Sequence, residues 1–224
     1  MGIDLIPKVS NFFIVEAEFV TYEHKDPTNP QQIQDWSAEL GCISEGHHRV
    51  LRFDILTHNQ GTKAFVLGKP EDHQDIFIHP PHPAGPIQWI MKDKFMTYTL
   101  KDGSGNEFKG YKQPWCVKAG RDDNRRLFTC QYQGIGRGTG DPYNSFNPCQ
   151  FVIIDGLKDG VSDFEAIVNA TSVRAAKENN GKILFEEDNY NNNTALFKLR
   201  IKGNDPPEIL SSNQVKLLSS RPTQ

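Results

Sequence analysis

Three stretches of this chain concentrate residue types that do chemistry. The first runs Gln133-Gly-Ile-Gly-Arg-Gly-Thr-Gly-Asp-Pro-Tyr143, with Pro148-Cys-Gln150 close behind. Alternate glycines at 134, 136, 138 and 140 invite a phosphate-cradle reading. A cradle of that kind ends in a lysine beside a hydroxyl residue and opens a helix, and neither pattern follows here. The alternation reads instead as a tight loop that other backbone approaches closely. The second stretch, Glu187-Asp-Asn-Tyr-Asn-Asn-Asn193, is crowded with carboxylate and amide oxygens, the hard donors that Ca²⁺ prefers. Taken alone it is an Asn-rich surface turn. The third holds His73, His79 and His82 among prolines. Several imidazoles together suit Cu(II); taken alone these are loop histidines in water.

Composition narrows the setting. With 224 residues, 37% hydrophobic and 24% charged, the chain is long enough for one sizeable core. A net charge of −3 without a basic stripe argues against nucleic acid as a partner. No apolar run approaches the roughly 18 residues of a transmembrane helix, and Met1-Gly-Ile-Asp-Leu-Ile-Pro7 carries no apolar leader run. Cysteine is present at positions 42, 116, 130 and 149. That even count leaves disulfides and buried thiols both open, while the spacing excludes paired metal ligands.

Short strands must position these residues. Loose apolar alternation marks residues 12–20, and further short strands are read at 49–56, 63–67, 127–132, 151–154, 163–168 and 195–201. Residues 95–100 and 107–111 flank Asp102-Gly-Ser-Gly105 and predict a hairpin. The prolines of 71–86 exclude a central strand there. Only 172–178 shows a helical pattern. The expectation is an all-β, antiparallel β-sandwich with long irregular loops over residues 1–203, followed by a peripheral or disordered tail over 204–224. Asn169-Ala-Thr171 and Asn192-Asn-Thr194 fit the N-glycosylation pattern.

Taken in order, the motifs resemble the lysyl oxidase family. The glycine stretch through Tyr143 with Pro148-Cys-Gln150 is similar to the segment carrying the tyrosine that this family converts to a quinone. Gly110-Tyr-Lys-Gln-Pro-Trp-Cys116 resembles the segment carrying the crosslinking lysine. Asp4-Leu-Ile-Pro7, Leu40-Gly-Cys42, Arg49-Val-Leu-Arg-Phe53 through Asn59-Gln-Gly-Thr62, Cys149-Gln-Phe-Val-Ile-Ile-Asp155, residues 160–169 and the Glu187 motif complete the set, over residues 4–201 in family order.

The resemblance implies specific roles. Lys112 and Tyr143 are the precursor positions of lysine tyrosylquinone. The bridges are Cys42–Cys149 and Cys116–Cys130, while a third family bridge lacks both its cysteines, near Thr139 and in the loop 118–126. Calcium would be held by Asp4, the Leu5 carbonyl, Glu187, Asn189, Asn192 and Asn193, with Asn189 standing where the family has an aspartate. The copper pattern fails. The family's alternating histidines fall, in register with Phe95, on Pro86, Gln88 and Ile90, and a further one falls on Thr97. Only a rearranged set such as His73, His79 and His82 would replace them.

The expected function is therefore a non-catalytic protein of this fold, a structural or adhesive component of an extracellular or surface assembly, working through protein partners or self-assembly. Without copper, Tyr143 is a buried ring with a hydrogen-bonded hydroxyl and Lys112 a cation over an aromatic such as Trp115. Two alternatives stand beside it. One is a copper- and quinone-dependent protein-lysine 6-oxidase. The other is a secreted carbohydrate- or protein-binding module, which rests on Trp89 and Trp115 alone.

Overall fold

The longest strand, β1 (Leu5–Phe19), buries Leu5, Val9, Phe12, Ile14, Ala17 and Phe19. It pairs antiparallel with β2 (Gly46–Asn59), from Leu5 opposite Asn59 to Phe19 opposite Gly46. The pairing slips between Ser10 and Phe13, where Asn11 takes φ 53°. Such a bulge re-aims the following side chain. Here it drives the Phe12 ring into the core, edge-on to Phe164 and Phe197 with centroids 5.1 Å away.

The computed structural model describes residues 2–75, 77–78, 90–91, 95–112, 116–119, 121–122, 125–126, 128–178 and 185–214. The remaining main elements are β3 (Phe65–Gly68), β4 (Met96–Asp102), β5 (Glu107–Lys112), β6 (Gln133–Ile135), β7 (Gly140–Tyr143), β8 (Phe151–Ile153), β9 (Gly160–Val168), α1 (Ala170–Glu178), β10 (Thr194–Ile201) and β11 (Glu208–Ser212). One five-stranded sheet runs β7–β2–β1 and ends in the two-residue strand Gln32–Ile33, with β8 also on β2. The other five-stranded sheet runs β11–β10–β9–β4–β5. Their inner faces meet through Phe53, whose ring lies 4.7 Å from Tyr98 and 4.9 Å from Phe164, both edge-on. Aromatic pairs prefer this geometry. β6 pairs with β3 and with Lys118–Ala119 in a small three-stranded sheet.

The fold is all-β, as the alternation predicts. Both expected bridges are formed, Cys42–Cys149 and Cys116–Cys130, with Cα atoms 5.5 and 5.0 Å apart. Several strands run beyond their expected ends, β1 starting at Leu5 rather than residue 12 and β2 covering Gly46–Asn59 rather than 49–56, and three further differences have local causes. No strand covers 129–132, because the Thr129 hydroxyl accepts the Gln131 and Tyr132 N–H groups and closes a turn beside the Cys116–Cys130 bridge. The helix starts at Ala170, two residues earlier than its pattern. In the tail, Glu208–Ser212 pairs with β10 as an outer strand. It stays peripheral, with four of its five residues exposed. Asn169 is only 1% exposed, so glycosylation is blocked there by burial. Among the described residues no helix is long and apolar enough to cross a membrane.

Candidate functional site

The acceptor-rich motif folds back onto the start of β1. Glu187 Oε2 accepts the Leu5 N–H at 2.6 Å. Its Oε1 accepts the side-chain amides of Asn169 at 2.6 Å and Asn193 at 2.8 Å. Asp4 Oδ1 accepts the Asn192 amide at 3.0 Å, and its Oδ2 accepts Gln60 Nε2 at 2.8 Å. The loop is locked locally by Tyr190, whose hydroxyl accepts the Glu187 N–H and donates to the Phe185 carbonyl, both at 3.2 Å. Ser172 Oγ accepts the Phe185 N–H at 3.1 Å.

Five of the six residues in the implied calcium set therefore gather in one place: Asp4, Leu5, Glu187, Asn192 and Asn193. Asn189 is turned toward its own loop, its Oδ1 accepting the Asn191 N–H at 3.0 Å. The side-chain oxygens of Asn169, Asn192 and Asn193 are buried with no hydrogen-bond partner among the described residues. Burial pushes the Glu187 carboxyl up to about 7 despite its three donors, and the nearby Asp4 charge pushes the same way. Orphaned buried acceptors call for a partner, and a desolvated carboxylate among amide oxygens suits a hard cation. The donor set fits calcium.

Asn169 is the member that sequence reasoning assigned elsewhere, as a glycosylation site. It follows β9 with φ 48°, and its carbonyl accepts the N–H of Val173 in the first turn of α1. An Asn between a strand and a helix is a signal for this left-handed junction, but the tripeptide pattern uses the same letters.

The quinone-precursor positions lie on the other side of the core. Tyr143, on β7 opposite Ile55, is 4% exposed. Burial first, then the charges of Asp141 and Tyr98, raise its hydroxyl well above the usual tyrosine value. Tyr98 is likewise raised by burial and donates to Gln150 Oε1 at 3.1 Å. On β5, Gly110 pairs with Tyr98 and Lys112 with Met96. The Lys112 side chain lies outside the described residues. A Cβ at Gly110 would run into the Phe151 carbonyl, so glycine lets β5 cross β8.

The glycine motif is a packing device, as its close-approach reading expects. A Cβ at Gly134 would meet the Phe65 carbonyl and the Phe128 ring, and one at Gly140 would meet the Leu56 side chain. Gln133 Oε1 caps the Val117 N–H at 3.0 Å. Asn59, fully buried, donates to the Lys63 and Ile135 carbonyls and accepts the Gly61 N–H. It ties the Asn59-Gln-Gly turn to the motif, a role its turn-residue reading did not include.

His79 and His82, with Pro86, Gln88, Trp89 and Trp115, lie outside the described residues. His73 follows a single 3-10 turn, and its carbonyl accepts the Phe77 N–H at 2.9 Å. Among the described residues no group of three or more His, Cys, Asp or Glu gathers to hold a metal. Thr97 is 7% exposed on β4, and its hydroxyl faces Arg174 Nη2 of α1 at 3.4 Å. A position where the resemblance places an imidazole thus offers a hydroxyl beside a guanidinium, and this does not fit a cupric ion.

The sandwich, the two bridges and the ordered motifs define a lysyl oxidase architecture. The lysyl oxidase family pattern matches residues 30–206, and the chain belongs to that family. It is 28% identical to protein-lysine 6-oxidase of Bos taurus over 174 residues, covering 75% of this chain and 38% of that protein. Against protein-lysine 6-oxidase of Sus scrofa it is 27% identical and covers 63% of that protein. Against lysyl oxidase homolog 2 of Mus musculus it is 24% identical over 172 residues, covering 21% of that protein. The chain thus spans less than two thirds of the length of each of these relatives.

Proposed function

We propose that this protein is a non-catalytic member of the lysyl oxidase family. It is a calcium-stabilised, disulfide-braced sandwich serving as a structural or adhesive part of an extracellular or surface assembly, through protein partners or self-assembly. The observation that carries the reading is the Thr97–Arg174 contact. Together with Pro86, Gln88 and Ile90 at the family's histidine positions, it leaves those positions without imidazole nitrogens. The Arg174 guanidinium beside Thr97 adds like-charge repulsion against a divalent cation at that position.

Calcium would be held by Asp4, Glu187, Asn192 and Asn193 with the Leu5 carbonyl, and a rotated Asn189 would join them. When bound, the ion supplies positive charge that neutralises Asp4 and Glu187 and gives the orphaned amide oxygens a partner. It would clamp the loop after α1 to the first residues of β1. Two disulfides are at home in an oxidising compartment, which supports the extracellular placement.

Amine oxidation is the second reading, favoured by one observation. Lys112 and Tyr143 are both retained, and backbone register sets Lys112 two positions along β5 from Gly110, the partner of Tyr98, whose charge acts on Tyr143. Metal analysis and intact mass of the folded chain separate the two. The expected result is calcium near one equivalent, copper far below one, and the mass of an unmodified chain with its bridges. Stoichiometric copper with a Lys112–Tyr143 crosslink overturns the proposal.

A further inference from the structure

The far end of the β1–β2 pair, away from the acceptor-rich loop, carries a constellation that neither reading uses. His48 Nδ1 lies 2.6 Å from Asp155 Oδ2, and His48 Nε2 lies 3.0 Å from Ser44 Oγ. With its proton on Nδ1, donated to Asp155, the imidazole presents a lone pair at Nε2 to the Ser44 hydroxyl. A base within hydrogen-bond reach of a hydroxyl, itself oriented by a third group, is the arrangement that activates a serine nucleophile.

The three residues are held from behind. Asp155 Oδ1 accepts the Arg49 N–H at 2.7 Å, which fixes the carboxylate. The His48 ring packs edge-on to Phe19 with centroids 6.2 Å apart, and its side chain is 16% exposed. Ser44 sits between buried Ile43 and Glu45. The Glu45 carboxylate is pinned by the Thr21 N–H and hydroxyl, both at 2.7 Å, and by His24. Two residues before Ser44, the Cys42–Cys149 bridge anchors the loop. Gly46, at φ 130°, turns that loop into β2 and brings His48 back over Ser44.

Neighbouring charges are engaged elsewhere. The Arg49 guanidinium donates to the Leu157 and Gly203 carbonyls and to Asn204. His47 faces Glu16 at 3.9 Å. Asp155 is therefore the charged group that sets the His48 tautomer.

We propose that Ser44, His48 and Asp155 form a nucleophilic acyl-transfer site that acts on carboxylic esters. Ser44 Oγ bonds to the ester carbonyl carbon as its proton passes to His48 Nε2. The C–O bond to the alcohol then breaks, and the leaving oxygen takes that proton from His48. Water, deprotonated by the same nitrogen, repeats the step, releases the acid and restores the Ser44 hydroxyl. No oxidant or metal enters this balance. Because Ser44 is exposed at a loop, the substrate is a short acyl ester or an ester displayed on a larger molecule's surface.

The test treats the full folded chain with a tagged fluorophosphonate and maps the adduct by peptide mass. The expected result is one adduct, on Ser44, absent in Ser44→Ala. In His48→Gln the labelling rate falls by roughly a hundredfold or more, the scale of a lost general base. In Asp155→Asn, which removes the group that orients the imidazole, the rate also falls. Failure to label beside a reactive control esterase overturns the proposal. So does labelling spread over several serines, or a rate unchanged in His48→Gln. If His48→Gln does not fold, Asp155→Asn decides, and a labelling rate unchanged in that variant overturns it. The readout is independent of calcium and copper, so this proposal and the scaffold reading succeed or fail separately.

Discussion

Glu187 accepts the backbone N–H of Leu5 at 2.6 Å, joining two residues 182 positions apart. The bond lies on the edge of β1 that β2 does not cover. Farther along that edge, Gln214 accepts the Val9 N–H, and Pro7 between them has no N–H to satisfy. The acceptor-rich loop therefore closes a strand edge as well as gathering oxygens. Adding millimolar calcium is expected to raise the melting temperature, and Glu187→Gln to abolish that rise. Asn189→Asp restores a carboxylate to the set and is expected to tighten calcium binding by about tenfold, or about 1.4 kcal/mol. Calorimetric titration of the three proteins measures this. A parent chain whose melting is indifferent to calcium would remove the site.

The same carboxylate sets a pH dependence in calcium-free protein. Glu187 is raised from 4.5 to about 7 in the folded state, chiefly by burial. Between those values the folded chain holds a proton that the unfolded chain has released. Its contribution is full below the unfolded value and is lost as pH rises through the folded one. Stability in chelator should therefore fall between pH 4.5 and 7, by roughly 3 kcal/mol at 1.36 kcal/mol per unit. Glu187→Gln should flatten that slope. Urea midpoints across pH test it, and a slope of opposite sign refutes it.

Features that depend on one strand's own pattern are legible in the sequence. β9 and β10 bury alternate residues such as Phe164, Ala166, Val168, Ala195, Phe197 and Leu199, and their letters say so. The edge strand Glu208–Ser212 has no buried residue, hence no period to read. The proposed calcium donors are legible as acceptor-rich letters, but Asn169 meets Glu187 only through the meeting of two distant segments. The Thr97–Arg174 contact is of the same kind, since nothing local in α1 says which strand it covers. The Ser44–His48–Asp155 set spans 111 positions and depends on β8 pairing with β2.

The two bridges close loops of very different length, with separations of 107 and 14 residues. Chain entropy makes the longer loop costlier to reopen. Replacing Cys42 and Cys149 together by serine is expected to cost about 4.7 kcal/mol, and replacing Cys116 and Cys130 about 3 kcal/mol. Chemical denaturation of the two double variants gives the comparison. Equal losses would show that native-state strain or residual unfolded structure outweighs loop length.

Arg52 is a buried cation whose partners come from three segments. It reaches Asp35 at 2.6 Å and the Ser145 carbonyl at 2.8 Å, and its guanidinium stands 5.2 Å from the Phe151 ring. Removing Asp35 leaves that charge buried without its counterion, which typically costs about 3–5 kcal/mol. Asp35→Ala should lose about that much, while Arg52→Met, which removes the charge and keeps the volume, should lose less. Thermal denaturation of both variants orders them, and the reverse order would mean that the aromatic contacts outweigh the ion pair.

Position-specific packing also separates the glycines of the motif. Gly134 is hemmed in by the Phe65 carbonyl and the Phe128 ring, whereas Gly138, at φ 70°, has nothing within 4 Å of a built Cβ. Gly134→Ala forces backbone apart in a core, and overpacking there costs about 1–3 kcal/mol. Gly138→Ala meets only the left-handed penalty, about 1 kcal/mol. If the stretch instead served as a phosphate cradle, Gly138→Ala would weaken phosphate binding in addition to that penalty. Paired melting curves with and without inorganic phosphate decide it: the expected pattern is a larger drop for Gly134→Ala and no phosphate effect in any of the proteins.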